Sequence, residues 1–60
     1  MSYKYSAIVR VINLTTLEIL ECECHSNISV RDCRDRFMAR CRNYGWLGKN
    51  DRYKVEVNTL

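Results

Sequence analysis

The sequence predicts an α+β fold of β-β-α-β order. A three-stranded antiparallel sheet, strands ordered 2-1-3, carries one helix packed on one face. Three observations predict it. Residues 29–45 hold apolar side chains at helical spacing between a start and a stop signal. Three other stretches are rich in β-branched and aromatic residues. The first of these is apolar on both faces, which marks a central strand.

The helix is the best-defined element. Ser29 is an N-cap, its hydroxyl able to accept from one of the first free backbone N–H groups. Asp32 follows three residues later as an acidic variant of the capping box, and Ile28 with Cys33 is placed for a hydrophobic staple. Gly45 supplies the left-handed residue on which helices commonly end. Between these marks Val30, Cys33, Phe37, Cys41 and Tyr44 recur at spacings of three and four, with Met38 on the flank. At about 100° per residue they form one stripe, expected to face the core.

The strands follow from alternation. Residues 3–13 (YKYSAIVRVIN) present Tyr5, Ala7, Val9 and Val11 on one face and Ile8 and Ile12 on the other. Residues 13–16 (NLTT) are polar enough for a hairpin turn. Residues 17–24 (LEILECEC) place Leu20, Cys22 and Cys24 on one side and Ile19, Glu21 and Glu23 on the other. Residues 53–57 (YKVEV) alternate, with Tyr53, Val55 and Val57 inward. Trp46, just past the terminal glycine, is expected to lid one end of the core. A right-handed crossover through the helix leaves room for the first strand between the other two, a split β-α-β. A helix of about 15 residues spans roughly 22 Å, and seven-residue strands span about 23 Å, so the layers match.

The chain has 60 residues, 47% of them hydrophobic, which suits one small globular domain near the lower size limit for folding alone. It shows no membrane-spanning run and no signal-peptide pattern, so the expected location is the cytosol, with no membrane partner. Four cysteines raise the question of a disulfide scaffold. Cys33 and Cys41 would lie about 12 Å apart along the helix, and Cys22 and Cys24 about 7 Å apart on one strand face. Neither separation favours a bridge, although a link from strand to helix is not excluded by spacing. Reduced thiols acting as small buried hydrophobes are expected.

Charge is unevenly placed. Arg31, Arg34, Arg36, Arg40 and Arg42 face only Asp32 and Asp35 on the helix, so this element carries the whole formal net charge of +3. Asp32 is placed to pair with Arg36 one turn on, and Arg31 with Asp35. Arg40 and Arg42 are then left over near the C-terminus, where the helix dipole favours cations. Lys49 and Arg52 follow closely.

Catalytic and metal chemistry find little support. Cys22, Cys24 and His25 form C-x-C-H, but the paired C-x2-C knuckles of a zinc site are missing, and Cys33 and Cys41 cannot reach one ion from an intact helix. His25, the one histidine, neighbours Cys24 on a strand, which does not bring a nucleophile and base together. No glycine-rich phosphate loop or nucleophile elbow occurs. The chain is therefore expected to be no enzyme and to hold no metal or cofactor.

The leading expectation is a small regulator or inhibitor that binds a larger intracellular protein through Arg36, Arg40, Arg42, Lys49, Arg52 and Trp46; Arg and Trp are over-represented at interface hot spots. The alternative is DNA or RNA binding through the same arginine-rich helix. A pI near 8.8 and the two helix aspartates weaken that alternative. A third reading is a homodimer joined through Ile8, Ile12 and Ile19, an apolar spot on the sheet face that the helix does not cover. Both outer strands are also open edges.

Overall fold

The computed structural model describes residues 2–60, with β1 at Tyr5–Asn13, β2 at Ile19–Ser26, α1 at Val30–Asn43 and β3 at Tyr53–Thr59. The sheet is ordered β2-β1-β3 and both pairings are antiparallel. The expected β-β-α-β architecture is present. Val9 lies opposite Cys22 on one side and Val57 on the other, and Val11 lies opposite Leu20 and Val55. These rows make the inner sheet face.

Alternation along β1 puts Ala7, Val9 and Val11 fully inside. From α1, Cys33, Phe37 and Cys41 pack onto them, and Leu47 closes one end. Leu20, Cys22, Cys24, Val30, Met38, Val55 and Val57 border this core. The helix lies over β1 and β2 and makes little contact with β3. The inner face of β3 is therefore half-covered, and Tyr53 and Tyr5 are exposed at the sheet margins rather than inward as expected.

Several boundaries differ from the sequence reading. Leu17 adopts a left-handed φ of 66°, and the Asn13 N–H bonds to the Glu18 carbonyl, so β2 begins only at Ile19. It then continues to Ser26, because His25 and Ser26 pair with Ser6 and Tyr5. β3 likewise runs on to Thr59, opposite Ala7.

At the helix start Ser29 caps as expected, its Oγ accepting from the Asp32 N–H at 3.0 Å. The reciprocal half of the box is replaced. Ser26 Oγ accepts from the Ile28 and Ser29 N–H groups and donates to Asp32 Oδ2 at 2.8 Å. Ile28 is 70% exposed, so no hydrophobic staple forms. At the other end the Gly45 N–H reaches the Arg42 carbonyl and the Trp46 N–H reaches the Cys41 carbonyl, a Schellman motif with Gly45 at φ 74°. Here the expected lid is corrected. Trp46 is 43% exposed and Leu47 only 4%. The turn directs Leu47 inward, while Trp46 packs outside against Tyr44, ring centroids 4.9 Å apart. Tyr44, read as the last residue of the buried stripe, is the C-cap and is 67% exposed.

A polar node joins the two loops at this end. Asn13 is fully buried. Its Oδ1 accepts from the Thr15 and Thr16 N–H groups, and its Nδ2 donates to Asp51 Oδ2 at 2.9 Å. Asp51 also accepts from the Gly48 N–H at 2.7 Å. These bonds hold the Asp51 carboxyl below the usual carboxylate range, the Asn13 bond contributing most. No helix among the described residues is long and apolar enough to cross a membrane.

Candidate functional site

The basic helix sorts into paired and unpaired cations. Arg36 Nε meets Asp32 Oδ2 at 3.0 Å, the expected one-turn pair. Asp35 pairs with its neighbour Arg34 at 3.2 Å instead of Arg31. Among the described residues, Arg40 and Arg42 have no carboxylate partner, nor do Lys49 and Arg52.

These residues do not form one patch. Arg40 and Arg42 are two residues apart, roughly 200° around the helix, and they leave it on opposite sides. Arg40 leans toward β2, its Nη1 3.7 Å from Cys22 Sγ. Arg36 shares that side, in a shallow hollow with Phe37 and Tyr3. Arg42 leans toward β3, its Nη2 3.5 Å from Tyr53 Oη. It lines one open hollow with Met38 and Val55, and a second with Lys49 and Leu47. Trp46 and Tyr44 lie exposed at the helix end, stacked on one another. Arg52 belongs to the loop node, its N–H donating to Thr15 Oγ1 and its carbonyl accepting from Leu14.

The uncovered sheet face is less apolar than its sequence suggests. Cross-strand rows run Glu23–Ile8–Asn58, Glu21–Arg10–Glu56 and Ile19–Ile12–Lys54. Arg10 bridges Glu21 at 2.9 Å and Glu56 at 3.5 Å. This charged row separates Ile8 from Ile12 and Ile19, so the three isoleucines do not make one continuous spot.

One constellation escaped the sequence reading. Ser6 Oγ lies 2.7 Å from His25 Nδ1, and His25 Nε2 lies 3.3 Å from Glu23 Oε1. Tyr3 stacks on the His25 ring. The only sequence signal was strand register, which sets Ser6 opposite His25. The order resembles a nucleophile, base and carboxylate. Acyl transfer also needs aimed donors for the developing oxyanion in a water-excluded site. This group sits on an open sheet surface whose central β1 backbone is spent on pairing with both neighbours.

No family model, curated protein or solved structure matches the chain.

All four cysteines are free. Cys33 and Cys41 are buried, whereas Cys22 and Cys24 are half-buried. Burial, then the bond with Cys22, pushes the Cys24 thiol up to about 11, and burial likewise raises Cys41. These two thiols stay protonated at neutral pH, which suits packing rather than nucleophilic work. The folded chain holds the Cys24 proton more tightly than the unfolded chain does, so stability falls as pH rises from the ordinary thiol value of 9.0 toward about 11. Melting temperature should therefore drop across that window, and a Cys24→Val variant should drop less. Parallel pH profiles for the two proteins would show that Cys24 is not the group responsible.

Proposed function

We propose that the protein is a small non-enzymatic regulator or inhibitor that binds a larger intracellular protein through the C-terminal end of α1. One observation carries the reading. The exposed Tyr44–Trp46 stack closes a helix whose last turn carries Arg40 and Arg42, neither of which meets a carboxylate among the described residues. Tyr, Trp and Arg dominate interface hot spots because they combine large apolar area with directed hydrogen bonds. The complementary surface is an apolar pocket for the aromatic pair, with carboxylates placed to meet Arg40 and Arg42. Lys49 extends the cationic side toward β3. Arg36, tied to Asp32, and Arg52, held at the loop node, have smaller parts. Unbridged thiols suit a reducing compartment, which favours the cytoplasm.

The test is a pull-down from lysate with tagged protein, run with and without nuclease. A discrete protein band that survives nuclease, and that Arg40→Glu with Arg42→Glu weakens at least tenfold, roughly 1.4 kcal/mol, is the expected result. Circular dichroism should show the variant folded, because both side chains are exposed. Undiminished capture by the variant would remove the helix end from the site. Capture that disappears with nuclease, or falls steeply with salt, would favour a nucleic-acid partner instead.

A further inference from the structure

The free edge of β3 is complementary to itself, and we infer that it pairs antiparallel with β3 of a second copy, joining two sheets into one six-stranded sheet. This surface adjoins the helix end at Tyr53, whose hydroxyl lies 3.5 Å from Arg42 Nη2. The ladder parity fixes which backbone groups are available. Leu14 N–H bonds to the Arg52 carbonyl, and Leu60 N–H to the Ser6 carbonyl. The even-numbered residues Lys54, Glu56 and Asn58 therefore spend their backbone groups on β1, whereas Tyr53, Val55, Val57 and Thr59 point theirs outward. Nothing among the described residues covers this edge, and two of the usual blocking devices, proline and inward-pointing charge, are missing. The chain has no proline, and no charged side chain of β3 points to the helix side.

Side chains select the register. With a two-fold axis at Val55, Lys54 lies opposite the partner's Glu56, and Glu56 opposite the partner's Lys54. Tyr53 then lies opposite the partner's Val57 on the helix side, an aromatic–β-branched pair over the strip that α1 leaves half-covered. Centring on Lys54 or on Glu56 would set like charges face to face. Centring on Tyr53 would set Lys54 against the partner's Arg52. The Val55 register alone among these pairs both charges. The β2 edge behaves oppositely. Centring it on Cys22 sets Glu21 against the partner's Glu23, and centring on Glu21 or Glu23 opposes a carboxylate to itself. One edge is thus guarded by repulsion and the other is open to its own copy. An antiparallel pair in one sheet has its two-fold axis normal to the sheet, so both helices lie on the same side, and the contact is isologous and closed.

The experiment is sedimentation equilibrium from about 10 µM to about 1 mM together with residue-resolved amide exchange. The wild type should shift toward twice the monomer mass, with the Val55 and Val57 N–H groups gaining protection as concentration rises. Lys54→Glu places glutamate opposite glutamate in both symmetric pairs and should remain monomeric. An equimolar mixture of Lys54→Glu and Glu56→Lys should associate again, because both pairs then become complementary. A wild type that stays monomeric throughout overturns the inference. So does a dimer whose Val55 and Val57 amides stay unprotected, which would place the contact elsewhere. The exchange result stands on the wild type alone, so poor folding of Glu56→Lys, which sets a lysine beside Arg10, leaves the test decisive.

Discussion

Phe37→Ala should remove most of the stability of this protein, about 3–5 kcal/mol. Phe37 is the largest fully enclosed side chain of α1 and lies between Cys33 and Cys41, one turn to either side. Its neighbours on the sheet are small: Ala7, Val9 and Val11 from β1, with the Cys22 and Cys24 thiols beside them. None of these is large enough to fill the space that a truncated Phe37 leaves, and the β1 residues are held by pairing on both sides. A domain of this size has a total stability of roughly 3–9 kcal/mol. The variant should therefore be largely unfolded near body temperature, read by thermal melting or denaturant titration. Phe37→Leu keeps much of the volume and should lose far less. A Phe37→Ala protein that melts like wild type would mean that the helix does not present this face to the sheet.

Asn13→Ala should cost about 2–3 kcal/mol, the scale of stranding buried polar groups, and should lower the melting temperature by roughly 10–20 °C. The substitution takes the acceptor from the Thr15 and Thr16 N–H groups and the donor from Asp51 in one step. It loosens the β1–β2 turn and the loop between α1 and β3 together. The pH dependence identifies the cause. Asp51 has a depressed carboxyl pKa in the folded chain, so its contribution is present above the ordinary value of 3.8 and is lost as pH falls below it. Asn13→Ala removes the main cause of that depression. The gap between wild type and variant should therefore narrow in acid. A constant gap from neutrality to pH 3 would assign the loss to packing instead of the Asp51 bond.

Much of the fold was legible because it is written in local pattern. The cap at Ser29, the stop at Gly45, the three- and four-residue spacing and the Asp32–Arg36 pair all depend on near neighbours, and each is present. The strand order was legible because β1 alone is apolar on both faces. Other features depend on contacts that sequence spacing does not encode. Whether Trp46 or Leu47 enters the core is decided by how the Schellman turn aims the chain. The Asn13–Asp51 bond links residues far apart in sequence, so NLTT read as an unremarkable turn. The division of the candidate site was, by contrast, available in advance. Arg40 and Arg42 are two residues apart on a helix, and that spacing alone sends them to opposite sides. Grouping them by charge instead of angle made one patch out of two.

The light contact between α1 and β3 also bears on the order in which the molecule assembles. β1, β2 and α1 are consecutive in the chain, and each meets the others over short separations. β3 joins them only by closing nearly the full length of the chain onto β1, and loop closure grows costlier with length. Such non-local pairing is slow relative to hairpin and helix formation. Loop closure therefore favours an order in which β1, β2 and α1 come together before β3, and β3 is expected to leave first in partial opening. During synthesis β3 also emerges after the other three elements, so the nascent chain holds its central strand with one side bare until β3 is free to pair.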